Sequence, residues 1–385
     1  MKRFIIAAAM VLIALLIPVS VRAEGSAIGD LIDGELADIE TGGLQESYSA
    51  LPESIRQIFG ESDFLDLVRS LALGESLDTG KALPSLLSLL TSELKNRLFL
   101  VTALFALAVL CGIAAEFRRG MSAGAGEVAG LVCYALAVIV AVYAFADAAA
   151  AAKEAALLAK DVMEAAFPLL LTLLTAAGAT ASAGLFSPAT ALLTSGVTAI
   201  FSGILLAAVL AMGVCAIIGN LSEQRPLDKL TGLFKSTIKW TLGILSTLYV
   251  GYLGVMGIAA KSADGLSVRA VRYAADKLIP MVGSLVSGSV DTLLACSLLI
   301  KNAVGVGAVL VMAGVLLTPL LKIMTLQIAF RLAAALMEPV ADSRLTKGIS
   351  ALADVLAYLF AILAAIGVMF ALTVGLIAAA GNALI

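Results

Sequence analysis

The chain has 385 residues, 61% of them hydrophobic and 14% charged, and a mean hydropathy of +1.06. That balance excludes an ordinary water-soluble domain, and the complete lack of histidine removes the commonest general base and the commonest metal ligand. The net charge of -3 hides a division, because residues 24–94 carry 14 Asp and Glu against 3 Lys and Arg. The remainder is therefore net positive, yet it shows no basic tail or Arg-rich stripe of the kind that binds nucleic acid.

At the front, Lys2 and Arg3 precede the apolar run 4–17, and Pro18 and Val21-Arg22-Ala23 follow. Small residues at 21 and 23 suit a signal-peptidase site, so residues 1–23 read as a signal peptide and the segment from Glu24 onward as extracytoplasmic. An uncleaved signal anchor is the alternative, with the same sidedness. The acidity of 24–94 agrees, since short extracytoplasmic segments are poor in Lys and Arg. Within it, Ser62-Asp63 caps an expected short helix with Phe64, Leu67, Val68 and Leu71 on one face. Pro84-Ser85 is expected to open a second helix leading to the first span. So few large apolar groups predict small helices resting on the membrane or on a partner, not an independent domain.

From residue 95 to the end, apolar runs long enough to cross a bilayer, about 20 residues each, follow one another. The pattern predicts an all-α polytopic membrane domain with about seven to eight transmembrane helices in the whole chain. The first spans are 98–115 and 128–146, and Arg118 and Arg119 place the loop between them in the cytoplasm. Residues 148–166 are Ala-rich, with Lys153, Glu154, Lys160, Asp161 and Glu164 on one face. They fit either a helix in the plane of the interface or a solvated, charge-paired face. Cys111, Cys133, Cys215 and Cys296 each sit in an apolar run at no metal or redox spacing, and read as small packing residues.

The second part of the chain suggests two related units, 160–260 and 272–376. Pro168 matches Pro280, the run from Ser202 matches that from Ala313, and Gly254-Val255-Met256 recurs as Gly367-Val368-Met369. Three crossings per unit would invert one against the other, as in many transporters; two would leave them parallel. Residues 175–196, rich in Ala, Gly, Ser and Thr and interrupted by Pro188, fit close helix packing or a broken segment lining a polar path. Asp291, Lys301, Lys322, Arg331 and Asp354 are ionisable groups in apolar surroundings. Asp291 lies well inside the run 278–300, whereas Lys301 and Lys322 sit near run ends where snorkelling would suffice.

The stretch from Gly219 to Gly305 carries specific motifs: Asn220-Leu221-Ser222-Glu223, Trp240-Thr241-Leu242-Gly243, Ile279-Pro280-Met281-Val282-Gly283, Asp291-Thr292, and Ser297 through Lys301-Asn302-Ala303-Val304-Gly305. This succession resembles the stage III sporulation protein AE family of endospore-forming bacteria, and the overall layout matches along nearly the full chain. The resemblance implies a multi-pass protein of the mother-cell membrane around the forespore. It implies a subunit of a secretion-like channel complex needed for late forespore gene expression. The implied partners are other membrane and intermembrane-space subunits and a cytoplasmic ATPase, besides the lipid bilayer itself. No cofactor, metal or catalytic residue is implied; Asp291, Lys301, Asn302 and Gly305 match the most recognisable motif and are the candidate path or helix-contact residues. A stand-alone secondary transporter for a small solute is the alternative, and an intramembrane enzyme fares worst because no reacting constellation is visible.

Overall fold

The structure is a computed structural model. It describes residues 34, 36, 41–60, 63–74, 79–117, 123–219, 227–278, 283–339 and 343–381, with side chains outside the description at 79–83, 86, 114–117, 123–127, 129–131, 133 and 261–294. The signal peptide 1–23 lies outside the described residues. Every described element is helical. Three short helices come first, α1 (Gly42–Ser49), α2 (Glu53–Phe59) and α3 (Phe64–Ala72). The long ones are α4 (Thr79–Phe117), α5 (Ala123–Ala176), α6 (Thr180–Gly219), α7 (Asp228–Leu278), α8 (Gly283–Met337) and α9 (Ser343–Ala379). In α6 the turns widen to π-helix at Leu192–Val197 and Ile200–Leu205.

Six helices among the described residues are long and apolar enough to cross a membrane. Several are far longer than a crossing needs. At 1.5 Å per residue, the 54 residues of α5 and the 55 of α8 each measure about 80 Å, against a hydrocarbon layer of about 30 Å.

Neighbours alternate in direction. Phe145 of α5 packs on Gly213 of α6, and Thr198 of α6 lies 4.0 Å from the Met163 sulfur, so the two helices run antiparallel. Leu170 of α5 meets Gly305 of α8, and Leu316 of α8 meets Gly367 of α9, which makes α5/α8 and α8/α9 antiparallel as well. α6 and α8 therefore point the same way. So do α7 and α9, which touch at Tyr249–Thr373 and Gly257–Leu376. The core is α9, most of whose apolar length is buried; α7 is at the edge, with most of its length exposed.

The acidic segment folds back on the protein's own long helices. Tyr48, Phe59 and Phe64 form an aromatic cluster with ring centroids 6.2 and 6.4 Å apart. Gln45 ties α1 to α3, its amide bonding Asp63 at 2.9 Å and accepting the Phe64 N–H at 2.7 Å. Of the expected face, Phe64, Leu67 and Val68 are fully buried and Leu71 is half-buried. The face lies on α8, where Phe64 and Val68 reach Gly307, and Leu51 and Ile55 reach Gly314; Gly43 abuts Ala165 of α5. Gly307 and Gly314 are seven apart on one face of α8, leaving a flat strip for the cover.

Three local expectations change. Helix α4 starts at Thr79, with Pro84 in its second turn rather than at its head. Residues 148–166 do not form a separate in-plane helix; they continue α5 without a break. The break near residue 180 falls at Gly178, whose φ of 83° suits glycine, and not at Pro188, which sits inside α6.

Candidate functional site

Helix α9 ends at Ala379 and, like any helix, leaves its last carbonyls without partners in the helix. Ala380 closes one turn by donating to Leu376 O at 2.9 Å, and Gly381, at φ 80°, turns the chain away. Two carbonyls at this end, those of Ala378 and Ala380, meet Lys301. Its side chain is fully buried, and Nζ donates to Ala378 O at 3.1 Å and to Ala380 O. Four residues on, Gly305 lets the same end of α9 approach; a Cβ there would lie 3.3 Å from Val374. One turn before, Leu298 packs on Gly381, which also sits against Ala179 and Leu174.

Leu298, Lys301 and Gly305 thus form one face of α8 that grips the C-terminal turn of α9 and joins it to the α5/α6 corner. A cation at the negative end of a helix dipole is stabilised there, which offsets the desolvation of a buried ammonium. The expectation of a snorkelling Lys301 is overturned by these carbonyls. Asn302 is partly buried beside it. Asp291 is on α8, but its side chain lies outside the described residues.

A second polar contact ties the centre. Tyr249 Oη of α7 and Thr373 Oγ1 of α9 are 2.7 Å apart, both buried, with Ala189 O of α6 at 3.5 Å from the tyrosine oxygen. Thr373 also donates to Met369 O at 2.8 Å. Along α6, Thr190, Thr194 and Ser202 bond back to their own helix at 2.8 to 2.9 Å, and Thr198 reaches Leu193 O at 2.9 Å, five residues back, which the wider π-turn permits. Phe186, Ala189, Leu193 and Phe201 share that buried face. Of the two readings of 175–196, close packing is the one these contacts support.

A third cluster marks one level of the bundle. Asp147 of α5 bridges Lys322 of α8 at 2.9 Å and Arg97 of α4 at 3.9 Å; Arg97 also faces Glu93 at 4.0 Å. Lys322 therefore has a carboxylate partner and is not merely at a run end. Sequence reasoning passed over Asp147 because a single acid after an apolar run looks like an ordinary boundary. Next to the cluster, a cavity of about 300 Å3 opens between the acidic segment, α5 and α8, lined by Ser47, Leu51, Glu154, Thr318, Pro319 and Lys322 among others. Further along α8, Arg331 pairs with Asp354 of α9 at 3.2 Å, both side chains about half exposed.

The stage III sporulation protein AE family model matches residues 62–381, from the start of α3 to the glycine that ends α9. The chain belongs to that family. A relative, the stage III sporulation protein AE of Bacillus subtilis (strain 168), is 26% identical over 353 residues, covering 91% of this chain and 88% of that protein. No solved structure matches the chain. This family member is a sporulation protein with six membrane-length helices among its described residues, and the Lys301–Gly305 grip on α9 lies wholly within the matched region.

Proposed function

We propose that the protein is a non-enzymatic membrane subunit of a channel-like complex that links mother cell and forespore and sustains late forespore gene expression. One observation carries this reading: helices of about 80 Å leave well over half their length outside a 30 Å hydrocarbon layer, and the acidic segment is docked on that surplus. On α4 and α5 the membrane lies between the level of the Asp147 cluster and the ends of these helices on the side where the loops after Phe117, Gly219 and Met337 stand. Arg118, Arg119, Arg225, Lys229 and Arg344 make those loops the cytoplasmic side. The 41–72 cover, the corner at Gly178 and the end of α9 then stand together in the space outside the mother-cell membrane. A rigid helical body placed there would meet the intermembrane-space subunits, and a cytoplasmic ATPase would approach from the loop side.

The shared direction of α6 with α8, and of α7 with α9, supports two parallel units of two crossings each. The inverted repeat on which the solute-transporter reading leaned gains no support from these directions. Paired reporters fused at Gln224, Gly265 and Ser343 test the arrangement. Gln224 and Ser343 should report cytoplasm and Gly265 the outside; opposite sides for Gln224 and Ser343 would restore the inverted transporter. Purification from sporulating cells should bring other membrane subunits with the chain, whereas solute transport by the pure protein in vesicles would contradict the subunit role.

A further inference from the structure

The cavity of about 300 Å3 beside the Asp147 cluster takes its walls from three elements far apart in the chain. Leu51 and Pro52 come from the cover, Leu158 and Val162 from α5, and Gly314 and Pro319 from α8. Most of the lining is therefore apolar. Its α5 residues, Ala151 to Val162, all lie beyond Asp147, on the side read above as outside the membrane.

The polar groups that open on it are mostly acceptors. Pro319 stands inside α8 and has no N–H, so Val315 O, four residues back, lacks its usual helical donor. Val315 and Pro319 both line the cavity, and the freed carbonyl points along the helix at the proline ring. Thr318 adds a hydroxyl. Thr325 and Thr373 bond back to their own helices at 2.9 and 2.8 Å, whereas Thr318 makes no such bond among the described residues.

Glu154 adds a carboxylate, with no ion pair among the described residues. The one cation in the lining, Lys322, is committed to Asp147 at 2.9 Å, and Arg97 faces Asp147 and Glu93. Those four charges cancel, and the charge on Glu154 is left over. Lys153 is exposed next to it in sequence but is not in the lining, and Lys160 pairs with Glu164 at 3.1 Å.

A carboxylate, a hydroxyl and a main-chain carbonyl in an apolar pocket match a compact ammonium with three donors better than a planar guanidinium. About 300 Å3 is the lower limit for a pocket that holds a whole small ligand, and is ample for one long side chain. A bilayer lipid would enter the wrong way round. Glu154 is nearest the membrane, and Leu158 and Val162 stand one and two turns farther out. The rim also favours a basic visitor. Glu46 and Glu53 are exposed next to the lining residues Ser47 and Pro52, in a segment with 14 acids against 3 bases over residues 24–94.

We propose that this cavity receives a lysine side chain from a basic face of another protein outside the membrane. The ammonium meets Glu154, Thr318 and Val315 O, and its methylene stem lies along Leu158 and Val162. The proposal rests on the complex-subunit reading above and names the chemistry by which an outer partner is held.

The test treats the full chain, solubilised in mild detergent with its complex from sporulating cells, with a zero-length carbodiimide. That reagent joins a carboxylate to an amine only where the two touch, and mass spectrometry maps the amide. The expected product links Glu154 to a lysine of another protein, and Glu154→Gln removes it. Pro319→Ala gives Val315 O its helical donor back. It should lower the yield about tenfold while the thermal unfolding temperature holds or rises. Full yield in Pro319→Ala would overturn the proposal, because a merely structural proline predicts it. So would a Glu154 amide to a lysine of this chain, of a second copy or to an aminolipid. If no Glu154 amide forms in a complex that still holds other membrane subunits, the cavity assignment fails alone. If the chain leaves the cells with no other subunit, the subunit reading fails and this proposal with it.

Discussion

Lys301 of α8 places its ammonium against Ala378 O of α9, 3.1 Å away and sealed from solvent. A buried lysine facing backbone carbonyls at a helix end is a clamp. It gives Lys301 a mechanical task, holding the last helix in the bundle. Lys301→Met should leave those carbonyls without their charged donor and cost about 1–3 kcal/mol. The check is thermal unfolding in detergent together with protease cleavage near Gly381, which should become faster. Lys301→Arg, which keeps the charge but not the fit, should fall between.

The cover of α1–α3 depends on the flat strip of α8. Gly307→Leu would drive into Phe64, whose ring carbon is already 3.0 Å from an added Cβ, and Gly314→Leu into Leu51 at the same distance. Such overpacking costs about 1–3 kcal/mol and is relieved most easily by lifting the cover. Limited proteolysis should then cut within 41–72 at least several times faster, while circular dichroism keeps its helical amplitude.

The Tyr249–Thr373 contact should behave as a coupled pair. Tyr249→Phe and Thr373→Val each remove one partner from a buried bond, so each should destabilise by about 1 kcal/mol. The double variant should lose less than the sum of the two, by about 0.5–1.5 kcal/mol. Strict additivity would show that the 2.7 Å contact contributes nothing.

Asp147→Asn should unbalance Lys322 and Arg97 together. All three side chains retain some exposure, with 16–44% of their surface open, so screening keeps the direct loss to about 0.5–1 kcal/mol. The exchange Asp147→Lys with Lys322→Asp should recover part of it, measured as denaturation midpoint in detergent.

Much of this architecture is legible in the residues. Hydropathy marks the spans, the Phe64–Leu67–Val68 face marks α3, and the stretch from Gly219 to Gly305 carries the family. What the sequence could not give was partnership across long separations. Lys301 looks like a run-end lysine until the carbonyls of α9, nearly 80 residues later, arrive beside it. Asp147 looks like a boundary residue until α4 and α8 converge on it. The unbroken length of α5 was hidden because charges at Lys153, Glu154, Lys160 and Asp161 mimic a helix boundary. They are instead the wetted side of a helix whose other side, at Ala152, Ala155, Ala159 and Val162, is buried. Pro188 misled for the opposite reason, since α6 carries the proline inside an unbroken helical stretch.

The central claim is that α5 leaves the bilayer near Asp147 and continues beyond it. Single cysteines at Ile139, Lys153 and Leu157, all exposed side chains, can be tested in a background without the native cysteines, using a membrane-impermeant maleimide on intact spheroplasts. Lys153→Cys and Leu157→Cys should be labelled from outside and Ile139→Cys should be protected. Equal protection of positions 139 and 157 would contradict the account.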